Sequence, residues 1–119
     1  MVDHMTQQKN SEMQLCSQAC TDCYRICVKT LQHCLHMGGK HAEPNHIRLM
    51  LDCAEICQTS ANFMLRGSDL HPRTCDVCVD VCERCAEECE RIAPGDEDMA
   101  RCAELCRRCA ESYAQMAAV

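Results

Sequence analysis

Cys75, Cys78, Cys82, Cys85 and Cys89 are separated by alternating steps of three and four residues. On an α-helix those steps return to one face at every turn, so the segment predicts a helix with an unbroken stripe of thiols. Three further stretches keep the same phase. The first reads Met13, Cys16, Cys20, Cys23, Cys27, Thr30, Cys34, Met37; the second His46, Met50, Cys53, Cys57, Ser60, Met64; the last Met99, Cys102, Cys106, Cys109, Tyr113, Met116. Where a helical bundle ordinarily carries Leu, this chain carries sulfur.

Thiolate is the soft ligand that selects Cu(I), zinc or iron–sulfur clusters. A closed zinc site takes four ligands, usually two CxxC pairs, and Cys20/Cys23, Cys75/Cys78, Cys82/Cys85 and Cys106/Cys109 offer such pairs but leave seven cysteines unused. Neither of the two common ferredoxin cysteine spacings is present, and no cysteine precedes a proline. Cu(I), with a filled d shell, accepts two or three thiolates. Cysteines three or four apart on one helix face can chelate or bridge such an ion, so many ions can follow one another along the stripes. The expectation is storage of several Cu(I) ions, with zinc or general soft-metal buffering in the manner of a metallothionein as the alternative. No enzyme is expected: nucleophilic catalysis needs one thiolate set apart beside a base, and dithiol redox chemistry goes with a βαβ pattern that is missing here.

The bulk composition agrees with a sulfur interior. Leu, Ile, Val and Phe together are only 19 of 119 residues, a level at which a charged chain risks disorder. The regular phase of the 15 cysteines argues instead for a fold whose interior is completed by disulfides, metal or subunit contacts. The odd cysteine count and the polar first residues argue against a secretory signal and an oxidising compartment. Net charge is −6, which disfavours nucleic acid, and no apolar run reaches membrane-spanning length.

The stripes must be positioned by four helices. Residues 1–10 read as a flexible tail and 11–119 as one domain. Ser11 with Gln14 suggests a capping box for a helix running to Met37, with a start one turn earlier as the alternative, and Gly38-Gly39 stops it. Asn45 is the expected cap of a second helix ending before Gly67; Pro72 opens a third that ends near Ile92; Asp96 caps a fourth that reaches about Gln115. Short links favour an all-α, antiparallel up-down-up-down four-helix bundle with a Cys-lined core. That order collects Met13, Cys16, Ser60, Met64, His71, Cys75, Tyr113 and Met116 at one end, end A. His36, Met37, His41, His46, Met50, Cys89, Met99 and Cys102 gather with Cys34 at the other, end B. End B is the expected mouth, with His36, His41, His46, Met37, Met50 and Met99 as entry ligands; His33 and His71 read as surface or capping residues.

From Ser11 to Met116 the chain resembles the cytosolic copper storage proteins of bacteria, short cysteine-rich four-helix bundles. The resemblance implies a core that binds many Cu(I) ions, entry through one end guarded by His and Met, a homotetramer and a cytoplasmic location. It carries the ligand role to Cys16, Cys20, Cys23, Cys27, Cys34, Cys53, Cys57, Cys75, Cys78, Cys82, Cys85, Cys89, Cys102, Cys106 and Cys109. Thr30, Ser60 and Tyr113 depart from the pattern and imply a lower capacity, thinnest near end A.

Overall fold

The computed structural model describes residues 4–118. Four helices make up the fold: α1 (His4–Met37), α2 (Pro44–Leu65), α3 (His71–Ile92) and α4 (Glu97–Ala118), with a short 3-10 turn at Gly39–Ala42 between the first two. Each helix packs on its neighbours in the ring α1, α2, α3, α4. The direction of packing is written in the thiols. As α1 advances through Cys20, Cys23 and Cys27, its nearest α4 partners recede through Cys109, Cys106 and Cys102. Consecutive helices are antiparallel, as the short links require.

Local chemistry sets where each helix stops. Gly38 takes φ +69 after Met37, a conformation that costs glycine nothing and other residues strain. At the end of α2 the amide of Gly67 (φ +70) donates to Met64 O at 3.0 Å and that of Ser68 to Phe63 O at 2.9 Å, the paired bonds of a Schellman motif. Pro72 sits in the first turn of α3. Asp96 caps α4: its Oδ1 accepts the backbone N–H groups of Asp98 at 2.9 Å and Met99 at 3.1 Å.

Three boundaries differ from the sequence expectation. Helix α1 begins at His4, so residues 4–10 are helical, and Ser11 lies inside the helix and caps nothing. The segment holds no Gly or Pro, and its Met, Gln and Lys residues propagate a helix readily. Residues 1–3 and Val119 lie outside the described residues. Asn45 does not cap α2: Glu43 is the N-cap residue, Pro44 opens the helix, and Asn45 accepts from Arg48 within its first turn. Proline's preference for the first helical position displaced the cap by two residues. Helix α4 runs on to Ala118, about a turn beyond the expected Gln115.

The cysteines of all four stripes face inward. Every cysteine is at most 2% exposed, and Met50, Met64, Met99 and Met116 are buried with them. Ile26, Leu31, Leu49 and Ile56 pack against the flanks of this sulfur core. Leu15, Leu35, Leu51, Leu65, Leu70 and Val77 remain on the outside.

Candidate metal centre

The stripe geometry of each helix, closed by its three neighbours, makes a tube of free thiols. Its middle is the most crowded part. Cys23 Sγ lies 3.6 Å from Cys106, 3.9 Å from Cys53 and 4.0 Å from Cys82. Cys57 lies 3.5 Å from Cys82 and 3.6 Å from Cys78, while Cys109 is 3.4 Å from Cys20 and 3.8 Å from Cys78. With a metal–sulfur bond of about 2.3 Å, sulfurs around one ion sit roughly 3.8 to 4.6 Å apart, from tetrahedral to linear ligation. The tube is thus within a few tenths of an ångström of bonding distance for soft ions.

Ten of these thiols fall into four tetrads whose sulfurs lie within 4.8 Å of one another: Cys23, Cys53, Cys57 and Cys82; Cys23, Cys27, Cys53 and Cys106; Cys27, Cys85, Cys102 and Cys106; Cys57, Cys78, Cys82 and Cys109. The tetrads share corners. Cys23, Cys27, Cys53, Cys57, Cys82 and Cys106 each belong to two, so no more than two tetrads can be filled by ions that keep four ligands to themselves. Ions that accept bridging thiolates can occupy the whole run.

Crowding and burial push some thiols up, while hydrogen bonds from neighbouring thiols pull others down. Cys57 and Cys82 are pushed up by neighbouring thiols, Cys109 first, and by burial. Cys102 is pulled down by its hydrogen bond with Cys106, which is itself pushed up. Cys16, beside Cys20 and Cys75, is pushed up to about 12, chiefly by the hydrogen bond with Cys20. A cation entering the tube must displace these protons, and each displacement replaces a buried neutral thiol by a thiolate that the cation itself neutralises.

End B holds a different donor set. Cys34 Sγ is 3.5 Å from His46 Nε2, 3.5 Å from Met99 Sδ and 3.9 Å from Met50 Sδ. Burial pushes the Cys34 thiol up to about 11 and holds His46 below the usual imidazole range, so His46 presents a neutral nitrogen. His46 is 1% exposed and its Nδ1 has no hydrogen-bond partner. Buried Thr30 takes the stripe position between Cys27 and Cys34, parting this site from the continuous thiols.

Of the expected entry ligands, the structure brings His46, Met50 and Met99 onto Cys34 and does not bring the other three. His36 is exposed, two residues from Cys34 and so turned well away from its face. Met37, the last residue of α1, is 54% exposed. His41 turns to Asp96, its Nε2 2.9 Å from Oδ2. His33, read from the sequence as a surface residue, meets the same oxygen at 2.8 Å. That grouping was missed because it joins three separate elements; the clue available was the antiparallel order, which sets the end of α1 against the start of α4.

A family model described as copper storage protein matches residues 9–118. The chain belongs to that family. Solved structures agree: the Nmul_A1745 protein of Nitrosospira multiformis is 49% identical, with a TM-score of 0.82 over 91% of this chain and 96% of that one. The Cu(I)-bound copper storage protein BsCsp3 is 32% identical, with a TM-score of 0.81 over 89% and 98%. A cytosolic copper storage protein of Streptomyces lividans, in a form with five coppers, is 27% identical, with a TM-score of 0.80 over 93% and 96%. An uncharacterized cysteine-rich protein of Bacillus subtilis, YhjQ, is 35% identical over 66 residues, which are 56% of this chain and 61% of that protein's length.

Proposed function

We propose that this copper storage family member holds several Cu(I) ions at once as cargo, bound by the thiolates of its tube and admitted at end B. The observation that carries the reading is the corner-sharing of the four tetrads. Zinc in closed sites takes four ligands per ion, and the tetrads allow at most two such sites without sharing. Cu(I) needs two or three thiolates and tolerates bridging, so the same ten sulfurs serve a longer train of ions. Cys16, Cys20, Cys34, Cys75 and Cys89 extend the set toward the two ends.

Entry at end B is supported by the mixed donors on Cys34. One thiol, one imidazole and two thioethers bind a soft ion less tightly than a cluster of thiolates, which suits a stage that must pass its ion inward. End A offers Met64, Met116 and the half-buried Tyr113, and its histidine, His71, is engaged with the Ser68 carbonyl at 2.9 Å. Assembly into a homotetramer and residence in the cytoplasm belong to the same reading. The exposed Leu15, Leu35, Leu65 and Leu70 support the first; the description of the Streptomyces relative as cytosolic supports the second.

The test is an anaerobic titration of the reduced protein with Cu(I), beside one with Zn(II), following metal per chain and thiolate-to-metal absorbance. Cu(I) should saturate above four ions per chain, with thiolate absorbance rising to the end point. Saturation at one to four ions overturns storage, and tighter, higher binding of Zn(II) turns the reading to zinc.

A further inference from the structure

At the rim of end B, His33, His41 and Asp96 place one ligand atom each within 4.8 Å of the others. The storage chemistry does not use them. They are nitrogen and oxygen donors, and they come from the last turns of α1, the 3-10 turn and the cap of α4. Asp96 divides its carboxylate between two tasks: Oδ1 caps α4 through the amides of Asp98 and Met99, and Oδ2 faces His33 Nε2 at 2.8 Å and His41 Nε2 at 2.9 Å.

The other nitrogen of His33 is also engaged. Its Nδ1 lies 3.1 Å from Asp98 Oδ2. With a carboxylate at each nitrogen, His33 satisfies both in one of two ways. It can be an imidazolium donating from both, or a neutral ring that donates from Nδ1 to Asp98 and binds an ion through Nε2. The second is the arrangement by which an outer carboxylate fixes the tautomer of a metal-bound histidine and aims its free nitrogen. The side chains of His33, His41 and Asp96 are 24%, 16% and 16% exposed, so an ion reaches them from solvent without passing the thiols. Two imidazoles and one carboxylate suit borderline divalent ions, whereas Cu(I) is drawn to sulfur.

We propose that His33 Nε2, His41 Nε2 and Asp96 Oδ2 form a rim site for one borderline divalent ion of the Zn(II) class, distinct from the thiol tube. On binding, any proton on the ligating nitrogens leaves to solvent, and the ion ties the end of α1, the 3-10 turn and the start of α4 together. Because Met99 stands in the first turn of α4, the tie falls beside the Cys34 donor set.

The experiment uses protein first filled with Cu(I), so that sulfur is occupied, then dialysed against Zn(II) while histidine imidazole resonances are followed by NMR. One Zn(II) per chain should bind and shift His33 and His41 while leaving His36 and His71 unmoved. The double substitution His33→Gln, His41→Gln should abolish that binding with Cu(I) capacity unchanged. Asp98→Asn, which removes only the outer carboxylate, should weaken it about tenfold. Asp96→Asn keeps an acceptor for the cap and should also lose the ion. Absence of bound Zn(II), or Zn(II) binding unchanged in the double variant, overturns the site and leaves the group as a hydrogen-bonded clasp. The imidazole signals report the rim whether or not the tube fills, so failure of storage and failure of this site are read separately.

Discussion

Under the proposed entry at end B, Cys34 is the residue on which the traffic of ions turns, because among the described residues it joins the sulfur of the tube to an imidazole and two thioethers. Replacing Cys34 by Ser together with His46 by Ala should slow Cu(I) uptake about tenfold, the equivalent of ~1.4 kcal/mol of lost ligation on the entry path. Total capacity should fall by about one ion, and stopped-flow mixing with a Cu(I) complex separates the two effects. An unchanged rate would place entry elsewhere. The protonation of the thiols carries a second expectation. Cys34 and Cys16 are pushed up to about 11 and about 12 from an ordinary value of 9.0, so at these two positions the folded metal-free chain holds protons that the unfolded chain releases. Their contribution to stability is complete below pH 9 and is lost as pH climbs through 11 and 12. The metal-free protein should therefore melt at a lower temperature at pH 10 than at pH 8, measured by circular dichroism under reducing conditions. All fifteen thiols were legible in the sequence, since a three-four spacing admits only one buried face. His36 and Met37 were not, because closeness in number to Cys34 says nothing of which way the last turn of a helix faces.

Among the elements, α2 has the fewest thiols, and Ser60 is where its stripe falters. The hydroxyl is fully buried and has no partner among the described residues, which costs about 1–3 kcal/mol relative to a satisfied group. Ser60→Cys fits nearly the same space with a weaker polar group. It should stabilise the empty protein by about 1 kcal/mol and add a ligand toward end A; chemical denaturation and Cu(I) titration read the two consequences. Helix boundaries were legible where glycine or a capping aspartate forced them, as at Gly38, Gly67 and Asp96. They were obscured where two signals competed. At the start of α2, Asn45 and Pro44 both mark a beginning, and the ring closure of proline prevailed. At α1, Ser11 resembles a cap only if the preceding residues are not helical, and nothing between His4 and Asn10 breaks the helix.

The whole molecule is a rod 56 Å long and 22 by 18 Å across, its interior given to sulfur and much of its hydrocarbon left outside. The up-down-up-down order was legible from link lengths and stripe phase. How separate bundles associate was not, because a surface leucine looks the same in sequence whether solvent or another copy covers it. Leu15, Leu35 and Leu65 are each more than half exposed, and light scattering on the purified protein should find an oligomer. Replacing these three by Gln should shift it to the monomer while the thiol tube keeps its Cu(I) capacity. Loading the tube should raise the melting temperature in either state, since the folded chain presents the ligands organised and the unfolded chain does not.

Thr30, buried in the stripe between Cys27 and Cys34, bears on the order in which ions leave. On the proposed entry at end B, with Met64 and Met116 buried at the other end, cargo would pass in single file and the newest ion would lie nearest the exit. Protein charged first with one copper isotope and topped up with a second should surrender the second first to a chelator, as plates come off a stack; simultaneous release of both isotopes would mean that ions shuffle among the shared thiolates faster than they depart.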